Sequence, residues 1–282
     1  MYMMFGDDSG TTTDRWKSYS GVCMPENEAF NLKNFISNQK AKYGIQPQEE
    51  LKPFKKDFKC VTLSKEDSDI LTYSIYKFVN NLSDLVIYGA FFLNEIQKPK
   101  YMDGKGKLNS ALLNDYYYQE ACDRFYNNFE RLLANPDYPS NKSTNIPKFG
   151  IIVMDEPSST LSKIALKRIK DISSKGTKYR PSDLVFWGIT FTNSDKNFGV
   201  ETAGYISFAL RRAICDDELS LINLFKGKIY RTNDGYIDNY GFCFFDCKRS
   251  RQRYGRVGRC KMLEESTGEK FRNLTYNECI HL

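Results

Sequence analysis

Two short apolar runs in this chain break off at paired acids. The first, Tyr2 to Gly6, stops at Asp7-Asp8 and the turn signal Ser9-Gly10; the second, Phe149 to Met154, stops at Asp155-Glu156-Pro157. β-prone runs of this length, bounded by turn residues, read as buried strands. A buried strand ending in Asp is a rigid arm that holds a carboxylate at the edge of a sheet, which is how many magnesium-dependent phosphoryl-transfer sites begin. Taken alone, a strand that simply exits into a polar turn explains the opening run equally well. The chemical reading therefore depends on further carboxylates that can converge on Asp7.

The rest of the pattern predicts an α/β domain over residues 1–214. Trp16 to Met24 reads as a second strand, in a hairpin with the first. Pro25 introduces helical spacing through Phe30, Phe35 and Ile36, and Gly44 to Pro53 reads as a polar loop carrying Glu49-Glu50-Leu51-Lys52. Ser64-Lys-Glu-Asp67 matches a capping box, opening a helix with Ile70, Leu71, Ile75, Phe78 and Val79 on its apolar positions. A strand at 85–93, a surface loop at 95–110 and a long helix from about 114 to 133 follow, the last with Tyr118, Cys122, Phe125, Phe129 and Leu132 on one face. Beyond the loop at 136–147 and the second acid-ended strand come three elements. They are a helix with Leu161, Ile164, Ala165, Ile169 and Ile172, a strand at 184–191, and a helix at 199–213 carrying Glu201. Residues 215–282 give weaker signals and are expected as an irregular appendage rich in Cys and Arg; the chain has no internal repeats.

Composition narrows the chemistry. A chain of 282 residues with 41% hydrophobic content can build one large domain, with or without an appendage. Its apolar runs fall well short of the ~20 residues of a membrane helix, so no membrane partner is expected. The N-terminus lacks a basic segment followed by an apolar one, which makes a cytoplasmic location the expectation. In a reducing compartment most of the eight cysteines would be free thiols. The single histidine, His281, sits beside the C-terminus; this argues against Ser-His-Asp and Cys-His mechanisms and excludes a His-rich metal site. Carboxylates, lysine or metal ions must carry any catalysis.

The net charge of +6 is concentrated locally. Lys248, Arg249, Arg251, Arg253, Arg256, Arg259 and Lys261 follow one another with no acid between them, alongside Tyr254 and two glycines. Such a stretch suits the phosphate backbone of DNA or RNA, and a solvated basic loop is the competing explanation. Cys243, Cys247, Cys260, Cys279 and His281 could in principle supply a structural zinc. Their irregular spacing, unlike paired Cys-x-x-Cys elements, makes ordinary thiols the preferred reading.

If the two acid-ended strands are neighbours, Asp7 and Asp155 can share a divalent metal. Two such ions about 4 Å apart activate water and stabilise the leaving oxygen of a phosphodiester. The order of features resembles the ribonuclease-H-like nucleases and, more narrowly, a bacterial and phage family called domain of unknown function 3800, over roughly residues 1–212. That family opens with a strand ending in Asp-Glu-Ser-Gly, then carries Glu-x-Lys, an apolar strand ending in Asp-Glu, a segment like Asp-Ser-Lys, and a helix beginning with Gln and containing Ala-Asp. Here the corresponding residues are Asp7-Asp8-Ser9-Gly10, Glu50-Leu51-Lys52, Asp155-Glu156, Ser194-Asp195-Lys196 and Val200 to Gly204. Asp8 replaces the usual Glu, Glu201 stands where Gln is usual, and Gly204 takes the place of the helix Asp.

The resemblance implies a mixed β-sheet flanked by helices and Mg²⁺- or Mn²⁺-dependent phosphodiester hydrolysis, with a role in phage defence or counter-defence. It also implies site roles: Asp7 as bridging ligand, Asp155 and Glu50 completing the metal shell, and Lys52 contacting a phosphate or orienting Glu50. Glu201 or Asp195 would stand in for the missing helix Asp. Ser9 has no accompanying base and reads as a turn residue, and Asp8 should point away from Asp7 by strand alternation. Without an acid at 204, the alternative is an inactive nucleic-acid-binding or interaction protein on a nuclease-like fold. A Gly-Asp-Asp polymerase turn would need far more chain than the five residues before Gly6, and the Asp-x-Asp-x-Thr spacing of dehalogenase-like phosphatases is missing. Substrate type, oligomeric state and protein partners are left open.

Overall fold

The structure is a computed structural model. It describes residues 1–10, 16–93, 109–135, 148–156, 166–167, 169–172, 184–216, 218–230 and 241–245. Its core is a six-stranded mixed sheet in the order β5-β4-β1-β2-β3-β6. β1 (Tyr2–Ser9) and β2 (Trp16–Pro25) form the expected antiparallel pair, in register from Tyr2 opposite Pro25 to Ser9 opposite Ser18. β3 (Val86–Leu93) continues antiparallel to β2. On the other side, β4 (Gly150–Asp155) runs parallel to β1, and β5 (Val185–Thr192) runs parallel to β4. β6 (Phe242–Phe245) adds parallel to β3. The two strands that carry the paired acids are therefore immediate neighbours pointing the same way, near the centre of the sheet, and β1 continues past its acids to Ser9 because β2 still pairs with it there.

Helices cover both faces, as the apolar composition of the inner strands requires. α3 (Ser110–Ala134) lies on one face, where its Tyr118 meets β2 Tyr19 edge-on at 6.0 Å. α4 (Phe198–Cys215) lies on the other, against β1 and β2. α1 (Glu26–Lys42) and α2 (Lys65–Asn81) pack outside α4. α4 can approach the hairpin closely because Gly199, Ala203, Gly204 and Ser207 face it. A Cβ at Gly199 would stand 2.3 Å from the Phe5 ring. At this range the Ser20 hydroxyl donates to the Ala203 carbonyl (2.7 Å) and the Ser18 hydroxyl to the Ser207 carbonyl (3.0 Å). These buried hydroxyls satisfy themselves on helix backbone where water cannot reach.

Local signals account for the starts of α2 and α4. Ser64 accepts from the Asp67 amide at 3.0 Å, and Asp67 receives the Ser64 hydroxyl at 2.7 Å. Asn197 caps α4 by accepting from the Gly199 and Val200 amides. Two expected core positions differ: Phe30 and Ile70 are 60% and 46% exposed. On α1 the buried stripe runs through Ala29, Leu32, Ile36 and Lys40, and Phe30 lies about 100° around the helix from Ala29.

The packing continues past residue 214 among the described residues. Leu221, Ile222, Phe225 and Ile229 enter the same core, and β6 joins the same sheet. The loops expected at 95–110 and 136–147 fall almost wholly outside the described residues. So do the basic stretch from Lys248 to Lys261 and Cys247, Cys260, Cys279 and His281. Cys23, Cys122 and Cys243 are buried thiols and Cys60 an exposed one. Among the described residues no helix is long and apolar enough to cross a membrane.

Candidate functional site

The last registered pair of β1 and β4 is Gly6 opposite Met154. A Cβ at Gly6 would stand 2.2 Å from Met154 Sδ, so these two residues share a face. One residue further, alternation turns Asp7 and Asp155 together to the opposite face, beneath α4. There a Cβ at Gly204 would stand 2.4 Å from Asp7 Oδ2. The Asp7 carboxylate thus lies against the α4 backbone, in space that any other residue at 204 would fill. Its Oδ1 accepts from the Asp8 amide at 2.6 Å. The Asp155 carboxylate accepts from the Ser194 amide, and its main-chain carbonyl receives the Tyr118 hydroxyl at 2.5 Å. Both aspartates are therefore held by main chain or helix as well as by their strands.

Electrostatics couple four of the residues singled out by sequence. Burial raises the Asp7 carboxyl well above the usual range, and the charges of Asp155, Asp8 and Glu50 raise it further; the Asp8 amide partly offsets them. Asp155 is pushed up to about 6, first by burial, with the Ser194 amide opposing and Asp8 and Glu50 adding to the rise. Lys52 is raised, mainly by its hydrogen bond to Glu50, and the charges of Asp7 and Asp155 reach it as well. Its Nζ stands 3.0 Å from Glu50 Oε2, on a side chain that is 62% exposed.

Glu50 and Lys52 flank Leu51, whose buried side chain and main chain are both anchored. The Leu51 amide donates to Glu201 Oε1. That same oxygen pairs with Lys40 Nζ at 3.0 Å, and Lys40 also donates to the Pro47 carbonyl at 3.2 Å. Burial pushes the Glu201 carboxyl up to about 7, against the opposing pull of Lys40 and the Leu51 amide. Glu201, expected as a stand-in metal ligand, thus faces α1 and the loop. Further along, Phe54 adopts φ of 60°, a left-handed conformation rare for a bulky residue; its amide donates to Thr72 Oγ1 at 2.9 Å.

The remaining candidates lie around this cluster. Asp8 occupies the opposite face of β1, where Lys17 pairs with it at 2.9 Å. Ser9 accepts from Arg211 Nε at 3.3 Å, just before Gly10 turns the chain with φ of 109°. Asp195 belongs to the short 3₁₀ turn Ser194–Lys196 that supplies the amide to Asp155. Its Oδ1 is buried and has no hydrogen-bond partner among the described residues. Sequence reading missed Lys40, Tyr118 and the space at Gly204. Lys40 was detectable as a lysine at the end of the otherwise apolar Ala29, Leu32, Ile36 stripe.

Chemically, hard carboxylate oxygens on rigid strand ends suit Mg²⁺ or Mn²⁺. Burial lifts both Asp7 and Asp155, and neighbouring carboxylates add to the rise, a charge imbalance of the kind a divalent cation relieves. Among the described residues, no three His, Cys, Asp or Glu side chains are arranged to hold a metal ion as they stand. The fit rests on donor chemistry and charge. No model of a known protein family matches the chain, and no curated protein matches it either.

Proposed function

We propose that this chain is a divalent-cation-dependent nuclease of ribonuclease-H-like type, of the domain of unknown function 3800 family, cutting phosphodiester bonds of DNA or RNA. The observation that carries the reading is the placement of Asp7 and Asp155 one residue past the last registered pair of two adjacent parallel strands, coupled in charge to Glu50 and Lys52. The mixed sheet with helices on both faces supports the same reading, since β1 carries Asp7 near its end and its parallel neighbour β4 ends in Asp155.

In this proposal Asp7, Asp155 and Glu50 hold the cation, with Asp195 as a nearby further donor. Bound there, Mg²⁺ or Mn²⁺ would supply Lewis acidity and lower the pKa of water at neutral pH. Lys52 stays cationic in the neutral range and reaches solvent, so it can meet a phosphate oxygen while orienting Glu50. Tyr118 and Ser194 keep Asp155 in place, and the missing side chain at 204 lets Asp7 lie under α4. The basic stretch from Lys248 to Lys261 would grip the substrate backbone.

A second reading is favoured by one specific feature: Gly204 brings no carboxylate from α4, which leaves a nucleic-acid-binding protein without cleavage. Labelled single- and double-stranded DNA, RNA and hybrid, incubated with Mg²⁺, Mn²⁺ or EDTA, separate the two. Cleavage that needs metal and vanishes in Asp7→Ala and Asp155→Ala is the expected result. Equal binding by all three proteins without cutting would replace the nuclease by the binding protein.

A further inference from the structure

We infer that Glu201 is a positioning residue rather than a cation ligand: with Lys40 it forms a buried clasp that fixes Leu51 and so presents Glu50 and Lys52 to the two aspartates. The inference rests on the cation-site reading above and adds how its third carboxylate is placed. Three separate pieces of chain meet at one carboxylate oxygen. Lys40 comes from α1, the Leu51 amide from the loop and Glu201 from the first turn of α4. Lys40 then ties a second loop point through the Pro47 carbonyl. Both side chains are almost fully buried, at 7% and 2% exposure.

A buried ion pair is weak evidence of added stability, because removing two charges from water offsets most of their attraction. A constraint on geometry is the better-supported use, and here the constrained atom is specific. The loop is tied elsewhere by the Ile45 amide to the Lys40 carbonyl (2.8 Å), the Lys59 amide to Glu49 (2.7 Å) and the Phe54 amide to Thr72 (2.9 Å). Those ties fix the flanks. Within the loop the Glu50 carbonyl accepts from Lys55 Nζ (3.2 Å) and the Lys52 carbonyl from the Lys55 amide (3.1 Å), and the bond from the Leu51 amide between them reaches across to α4. Loss of the clasp should therefore free the site residues while the fold persists.

The test uses the full chain and Mn²⁺ as probe, with affinity from isothermal titration calorimetry and folding from circular dichroism and melting. Lys40→Met with Glu201→Leu removes both the charges and the acceptor. Lys40→Met with Glu201→Gln removes the charges but keeps an amide oxygen for the Leu51 amide. The Met/Leu protein should melt cooperatively and lose Mn²⁺ affinity by about 10-fold or more, the range seen when groups orienting a ligand are removed. The Met/Gln protein should recover to within about threefold of wild type. A Met/Gln protein as weak as Asp155→Asn would make Glu201 a ligand and overturn the inference, as would wild-type affinity in Met/Leu.

Hydrogen exchange at Leu51 gives a readout independent of metal. Protection in wild type and Met/Gln but not in Met/Leu supports the clasp, and an unprotected Leu51 amide in wild type ends it, even where Met/Leu does not fold. If wild type takes up no Mn²⁺, the cation reading falls, and exchange at Leu51 still decides whether the clasp holds the loop.

Discussion

Replacing Gly204 by Ala tests where the Asp7 carboxylate lies. Gly204 is in the interior of α4, and a Gly→Ala change at such a position ordinarily stabilises a helix by about 0.8–1 kcal/mol. Here the new Cβ would stand 2.4 Å from Asp7 Oδ2, far inside van der Waals contact. Asp7 is a short side chain, and its other oxygen is held by the Asp8 amide at 2.6 Å, so swinging aside breaks that bond. Overpacking of this kind costs about 1–3 kcal/mol, which exceeds or cancels the helix gain. Gly204→Ala should therefore be neutral to destabilising by up to ~2 kcal/mol in wild type. In an Asp7→Ala background the obstacle is gone, and the same change should stabilise by about 1 kcal/mol. Asp7→Asn keeps the shape without the charge, so the clash should persist there. Urea unfolding of the six proteins, with unchanged m-values, reads the coupling directly. A Gly204→Ala gain of ~1 kcal/mol in all three backgrounds would show that Asp7 does not lie against α4, and the site as built from the two strands would be wrong.

Three further outcomes follow from the same contacts. Asp155 and Glu201 have folded pKa values raised to about 6 and about 7, so the folded state binds more protons than the unfolded one and stability falls as pH rises from about 4 towards 7. Asp155→Asn should flatten that fall between pH 4 and 6. It should also stabilise the protein at pH 7.5 by about 1–2 kcal/mol, which is the full shift of about 3 kcal/mol discounted for solvent screening; a wild-type pH profile that rises over this range refutes it. Tyr118→Phe removes the hydrogen bond to the Asp155 carbonyl and should cost about 1 kcal/mol in urea unfolding. Ser64→Ala removes the α2 cap and should cost about 1 kcal/mol without altering Mn²⁺ binding.

The elements that carry the site were legible because each was written in local sequence. An apolar run ended by paired acids announces a strand whether or not its neighbours are known, so β1 and β4 could be placed, and strand alternation separated Asp7 from Asp8. The cap at Ser64 is likewise a local device. What was not legible depends on contacts between distant segments. That Gly204 makes room for Asp7 needs the distance between β1 and α4, and a glycine inside a helix is locally only a weakness. The pairing of Lys40 with Glu201 joins residues 161 positions apart, with no spacing rule to connect them. Phe30 illustrates the reverse case: a large apolar residue near the right helix period reads as core, although the buried stripe passes beside it. The strand at 242–245 was lost in a Cys-rich region whose apolar run is only four residues long.

The most direct test is crystallographic: crystals grown with Mn²⁺, with diffraction recorded where manganese scatters anomalously. The account predicts an anomalous peak between the Asp7 and Asp155 carboxylates, about 2.0–2.3 Å from an oxygen of each, and its disappearance in Asp155→Asn. Carboxylates without a peak at millimolar Mn²⁺, or a peak bound elsewhere in the chain, would contradict the claim that these two strand ends form a divalent-cation site.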